Sequence, residues 1–161
     1  MWLSILRKIL CDSVPKKPDI GYLSITPSTL HKQLEGLKLM YPCLLDEDGL
    51  YWFTTIEDWQ KVFEYVDDAL ECLDKYSVLK YMKARRDCED FAILHKGLVS
   101  AFFGLNAYAL AIGTTPMGQH AFTMMKTGGG FRLWEPQVKA SEQKPFKIND
   151  EHGYVPQYIL L

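Results

Sequence analysis

The sequence lacks the features that would indicate a metal-cluster, disulfide-rich, nucleic-acid-binding or membrane-spanning protein. Its four cysteines lie 32, 29 and 16 residues apart, so they form neither a Cys-x-x-Cys pattern nor a dense disulfide framework. With 18 basic and 20 acidic residues, the net charge of -2 gives no general attraction to nucleic acid or an anionic surface. No apolar run reaches the ~20 residues of a membrane helix. These absences favour a globular protein whose function depends on a local site.

The length and composition predict one domain. The 161 residues, 48% of them hydrophobic, are enough to surround a single core, so residues 1–161 are expected to fold together. Within them, residues 1–27 are predicted to be an N-terminal docking helix followed by a proline-punctuated connector. The opening residues lack a secretory signal pattern, which favours a cytoplasmic location and leaves export by another route open.

Two helices are predicted before the chemistry-bearing half of the chain. Thr26 and Pro27 are typical of a helix start, and the apolar spacing extends to about Met40. A longer helix is predicted from Thr55 to Leu73, with an apolar stripe expected to face the core.

Cys88 stands at the predicted start of a third helix. The segment from Glu89 to Phe103 has apolar residues at helical spacing, with Asp87 as the expected N-cap and Gly104 as the stop. The free N–H groups and positive dipole end of a helix N-terminus favour a negatively charged sulfur. We therefore expect a lowered pKa for the Cys88 thiol and a nucleophilic role.

A hairpin after this helix carries a histidine and an acid. Strands are predicted from His120 to Lys126 and from Phe131 to Glu135. If Lys126 pairs with Phe131, His120 and Glu135 lie one diagonal step apart on the same face of the sheet. A register shift of one residue would separate them. A further strand is predicted from Ala107 to Ile112.

Three ordered blocks resemble the transglutaminase-like superfamily of papain-type thiol enzymes, most of all its bacterial cysteine protease branch. They are Asp87–Ala92, Gly118–Phe122 and Leu133–Pro136, and the match covers about a third of the chain. The resemblance implies an α+β fold with a papain-like, transglutaminase-like core, in which the cysteine-bearing helix packs on an antiparallel sheet.

The same resemblance implies a catalytic triad. Cys88 would be the nucleophile, His120 the general base and later acid, and Glu135 the residue that orients the imidazole. The spacings are 32 residues from Cys88 to His120 and 15 from His120 to Glu135. Glu135 departs from the family, which more often has Asp at this position.

The function implied is that of a thiol hydrolase, a cysteine peptidase or amidase that cleaves peptide or side-chain amide bonds through an acyl-enzyme. Its partner would be a protein or peptide substrate. Two enzymatic alternatives are an amine-accepting transglutaminase and a cell-wall peptidase, whose Asp-Cys-x-x-Phe block resembles Asp87–Phe91. A non-enzymatic alternative is a peptide-binding or structural assembly protein that retains the fold.

Calcium is the one cofactor that the resemblance suggests, and none is required by the thiol chemistry itself. The branch includes calcium-dependent proteases whose acids beside the cysteine take part in metal binding, and Asp87 and Glu89 occupy the matching positions. Calcium takes six to eight oxygen ligands, whereas the sequence identifies only these two and Asp90. The alternative is that these acids cap the helix and complement its dipole.

Overall fold

The computed structural model describes residues 15–37, 39, 41–43, 49–75 and 87–161. Within these ranges there are three helices and seven strands. The helices are α1 (Pro27–Glu35), α2 (Ile56–Lys75) and α3 (Cys88–Phe103). The strands are β1 (Leu23–Ile25), β2 (Tyr41–Cys43), β3 (Tyr51–Phe53), β4 (Tyr108–Thr115), β5 (Gly118–Thr127), β6 (Gly130–Trp134) and β7 (Val155–Leu160).

The N-terminal part of the described chain differs from its prediction. The hydroxyl of Thr26 caps α1, and Pro27 is its first residue, as predicted, but the helix ends at Glu35 rather than near Met40. The predicted connector is not wholly irregular, because Leu23–Ile25 forms β1 and pairs antiparallel with β3. The predicted docking helix, residues 1–10, lies outside the described residues.

The third helix has the termini that its sequence predicts. The Asp87 side chain accepts a hydrogen bond from the Asp90 N–H, which satisfies one of the free donors of the first turn. Gly104 ends the helix in the left-handed conformation, with φ of 66°. Cys88 is therefore the first residue of α3, and its backbone position is fixed by the cap.

The main sheet has five strands in the order β2-β7-β4-β5-β6. The β5–β6 hairpin has the predicted register, since Lys126 pairs with Phe131 and Thr123 with Trp134. The prediction of an antiparallel sheet was wrong at one edge, because β2 runs parallel to β7. Strand β2 has only three residues, which give no sequence signal for this pairing.

Gly113 allows β4 to extend further than predicted. The strand was expected to end at Ile112, but it continues to Thr115, and Gly113 pairs with His120. A Cβ atom at Gly113 would lie 2.0 Å from the carbonyl oxygen of Val155 on β7. The close approach of two backbones therefore requires glycine here.

A cluster of rings joins two helices to the sheet. Phe63 of α2 lies 4.1 Å from Trp134 of β6 and 5.2 Å from His95 of α3, measured between ring centroids. Trp59 of α2 is fully buried beside it and donates a hydrogen bond from Nε1 to the carbonyl of Lys126, at 2.8 Å. The core thus holds α3 against β4 and β5, which positions Cys88 beside β5.

Candidate functional site

The Cys88 thiol lies between its own helix and strand β5. The Ala121 N–H points at the sulfur, with a nitrogen-to-sulfur distance of 3.4 Å. The thiol also donates a hydrogen bond to Glu89 Oε2, at 3.1 Å. Cys88 packs with Ala92, Leu110 and Ala121 and is partly exposed. The sulfur is therefore adjacent to the residue that follows His120.

The electrostatics of Cys88 oppose the lowered pKa that its sequence position predicts. Burial raises the pKa of the thiol, and the neighbouring Glu89 carboxylate raises it further. The Ala121 N–H acts in the opposite direction but does not outweigh them. The prediction of a lowered pKa was therefore wrong, because it considered the helix N-terminus without the desolvation and the adjacent acid.

His120 and Glu135 form a direct pair. The Nε2 atom of His120 lies 2.6 Å from Glu135 Oε2, and both side chains are largely buried. The same carboxylate accepts hydrogen bonds from the Gln137 N–H, at 3.0 Å, and from the Tyr154 hydroxyl, at 3.3 Å. The bond through Nε2 leaves Nδ1 as the second polar atom of the ring. The structure thus brings the predicted histidine and acid together.

The acids beside Cys88 have local hydrogen-bonding roles. Asp87 caps α3, and the hydrogen bond from Cys88 lowers the pKa of Glu89. Within the described ranges, no group of three or more His, Cys, Asp or Glu side chains is arranged to hold a metal ion. A calcium site at Asp87 and Glu89 stays a prediction.

A second histidine and a second cysteine lie in the core. His95 is fully buried, and its Nδ1 lies 2.8 Å from the hydroxyl of Tyr108. Burial lowers the pKa of His95 to about 3, so the ring stays neutral. Cys72 of α2 is also buried. Both residues therefore contribute to packing in the core.

A cleft of about 900 Å³, which the sequence does not predict, opens beside Glu135. It is lined by the end of β6 and by the loops that precede β7. Its lining combines charged, amide and apolar side chains: Ile56, Arg132, Glu135, Val138, Ser141, Glu142, Gln143, Lys144, Pro145, Phe146, Lys147, Asp150, Glu151, His152 and Tyr154. Most of these residues lie in loops, which have no periodic signal, and only their clustering in space reveals the cleft.

No protein-family model matches the chain, and no curated protein matches it. Solved structures do match. One is titled "PSL1a-E64 complex", with a TM-score of 0.59. Another, with a TM-score of 0.53, is a Polyporus squamosus lectin bound to the human-type influenza-binding epitope Neu5Acα2-6Galβ1-4GlcNAc. Each is 22% identical to this chain over 86% of it.

This chain shares the fold of these lectin chains. It spans about half of their length, since each match covers 50% of the solved chain. Among the described residues, no helix is long and apolar enough to cross a membrane.

The likeness corrects the predicted family and fold class. The resemblance to transglutaminase-like cysteine proteases was wrong, because the solved chains that match are lectins. The papain-like α+β core was wrong as well, because the described residues form mostly antiparallel sheets with three helices, as in the matching fold. The three blocks specify a helix start and a hairpin correctly. These local elements occur in many architectures and do not determine how the other strands are arranged.

The predicted activity is corrected with the family. The chain was expected to be an enzyme, a thiol hydrolase acting on protein or peptide substrates, but the proteins that share its fold are lectins. Peptide hydrolysis, its transglutaminase and cell-wall peptidase alternatives, and a peptide partner all followed from the overturned resemblance. The positions of Cys88, His120 and Glu135 do not depend on it.

Proposed function

We propose that this chain is part of a carbohydrate-binding protein and that it binds a glycan. The observation that carries the proposal is the fold, which matches lectin chains over 86% of this chain with a TM-score of 0.59. One of those lectins is bound to a sialylated trisaccharide.

The cleft beside Glu135 supports the proposal chemically. Sugar hydroxyls both donate and accept hydrogen bonds, so a glycan site needs carboxylate or carbonyl acceptors together with N–H donors. Glu135 and Asp150 supply acceptors, while Arg132 and Lys144 supply donors. Tyr154 adds an aromatic surface against which the apolar face of a sugar ring can pack.

Arg132 suits an acidic sugar. Its guanidinium is partly exposed at the cleft, and its Nη1 donates a hydrogen bond to the carbonyl of Phe131, at 2.8 Å. That bond fixes the side chain while leaving other N–H groups of the fork for a ligand carboxylate. Lys144 and Lys147 line the same cleft and add positive charge.

A glycan array that includes sialylated and asialo forms of the same oligosaccharides tests this function. We expect sialylated glycans to be retained and their asialo counterparts to bind more weakly. Arg132→Ala should weaken binding about tenfold or more, because a hydrogen bond to a charged group is lost. Lys32→Ala removes the same charge from an exposed position on α1 and should leave binding unchanged. Failure of the wild-type chain to bind any glycan would contradict the proposal.

The geometry around Cys88 favours a second, separate proposal: Cys88, His120 and Glu135 form a small-molecule site with an accessible thiol. The supporting observations are the His120–Glu135 pair, the Ala121 N–H at the sulfur, and partial exposure of Cys88. The solved structure of PSL1a contains E64. E64 is therefore a ligand to test on this chain.

Iodoacetamide labelling tests the thiol site. The Cys88 sulfur would form a bond to the reagent carbon as iodide leaves, and the thiol proton would pass to Glu89, which accepts its hydrogen bond, and from there to water. We expect Cys88 to be alkylated faster than the buried Cys72, and E64 to protect it. Equal labelling of the two cysteines, or no protection by E64, would remove the second proposal.

A further inference from the structure

The carboxylate that meets His120 lies beyond the end of its strand. Strand β6 ends at Trp134, whose partner across the sheet is Thr123. Glu135 is the next residue and begins a turn, so the strand ladder does not fix its position. Something else must hold Glu135 for its carboxylate to stay 2.6 Å from His120.

One side chain binds both backbone groups of Glu135. Gln143 Nε2 donates hydrogen bonds to the carbonyl oxygens of Glu135, at 2.6 Å, and of Val138, at 2.7 Å. The Glu135 N–H donates in return to Gln143 Oε1, at 3.3 Å. Both ends of the amide are therefore used on the turn that carries Glu135.

The segment that carries Gln143 is itself fixed to α2. The N–H of Ala140 donates to Asp67 Oδ2, and the Ala140 carbonyl accepts from Gln60 Nε2, each at 2.6 Å. Ala140 is buried, so these bonds are shielded from water. Gln143 thus links Glu135 to a segment that is held on the core rather than to a free loop.

We propose that Gln143 is a positioning residue that holds Glu135 in place for His120. The proposal rests on the thiol site proposed above only in its effect on Cys88. Gln143 does not contact the imidazole or the thiol in the described hydrogen bonds; it acts on the pair through the Glu135 backbone.

Three variants of Gln143 distinguish the effect of its hydrogen bonds from the effect of its size. Gln143→Glu keeps the side-chain size but replaces the two N–H donors with a carboxylate that repels the carbonyls of Glu135 and Val138. Gln143→Ala removes all three hydrogen bonds. Gln143→Asn keeps the amide and shortens its reach by one methylene. Gln33→Ala, in the exposed face of α1, is the matched control.

The direct measurement is the NMR signal of the proton between His120 Nε2 and Glu135, which a short hydrogen bond moves far downfield. We expect the signal to weaken or disappear in Gln143→Glu and Gln143→Ala, to recover in part in Gln143→Asn, and to persist in Gln33→Ala. The alkylation rate of Cys88 should fall about 3- to 10-fold in the first two, as expected for loss of a net hydrogen bond.

Each outcome has a defined meaning. An unchanged His120 signal in folded Gln143→Glu overturns the positioning role, and so does the unfolding of all three Gln143 variants, which would make Gln143 a residue of the fold alone. If the signal changes as expected but wild-type Cys88 is alkylated no faster than Cys72, the positioning role stands and the thiol-site proposal fails.

Discussion

Asp67 is a half-buried carboxylate whose removal should stabilise the protein. It lies on α2 and accepts the hydrogen bond of the Ala140 N–H. Burial raises the pKa of Asp67 from 3.8 to about 6, and repulsion from Asp68 and Glu71 adds to this, while the Ala140 bond and Lys139 oppose it. The buried hydroxyl of Tyr108 also lies within electrostatic range of Asp67. The folded state therefore prefers a neutral group at this position.

The pH dependence follows from that preference. Between pH 3.8 and about 6 the folded state binds more protons at Asp67 than the unfolded state, so stability falls as pH rises through this window. Above about pH 6, ionised Asp67 lowers the free energy of unfolding by its full amount. The difference between the folded and unfolded pKa values of Asp67 corresponds to at most about 3 kcal/mol of stability, at about 1.4 kcal/mol per pKa unit. Solvent screening at a partly exposed group reduces the expected penalty to about 1 kcal/mol.

Asp67→Asn removes the charge and keeps an oxygen that can accept from Ala140. We expect it to raise the free energy of unfolding by about 1 kcal/mol at pH 7.5 and to change it little at pH 4, where both side chains are neutral. Urea unfolding at the two pH values measures this. Asp68→Asn, at the more exposed neighbour, should give a smaller gain. Destabilisation by Asp67→Asn at pH 7.5, or an equal gain at both pH values, would refute the reasoning.

Three further predictions concern the sheet, the thiol and the metal. Gly113→Ala should destabilise the fold by about 3 kcal/mol or more, because its Cβ would overlap the Val155 carbonyl; a thermal midpoint equal to that of wild type would contradict the close approach. Alkylation of Cys88 followed against pH should show a midpoint above that of a free cysteine, since burial and Glu89 raise its pKa; a midpoint below it would mean that the helix N-terminus prevails. If calcium binds at Asp87 and Glu89, it should raise the thermal midpoint, and Glu89→Gln should abolish that rise. If added calcium does not change the midpoint of the wild-type chain, the calcium site is excluded.

Local structure could be predicted from the sequence because each element has its own signal. The Asp87 cap and the Gly104 stop define α3, and the glycine-rich loop after Thr127 indicates the Lys126–Phe131 pairing. That register directs His120 and Glu135 to the same face of the hairpin, and bonds outside the strand ladder hold Glu135 in place. These features depend on residues that are close in sequence, so a short segment is enough to predict each of them.

The fold family and the cleft could not be predicted in the same way. The parallel pairing of β2 with β7 joins segments more than 110 residues apart, and no periodicity encodes it. The cleft is formed by loop residues, whose positions depend on long-range bonds such as Asp67 to Ala140. The pKa of Cys88 was mispredicted for a similar reason, since desolvation depends on what packs over the sulfur.

The most direct test of the account is calorimetric titration of this chain with Neu5Acα2-6Galβ1-4GlcNAc, the trisaccharide bound by the Polyporus squamosus lectin. The account predicts saturable binding with a Kd of about 1 mM or lower, equivalent to about -4 kcal/mol or better, and at least tenfold weaker binding by Arg132→Ala. Absence of binding by the wild-type chain, or unchanged binding by Arg132→Ala, would contradict a glycan site in this cleft.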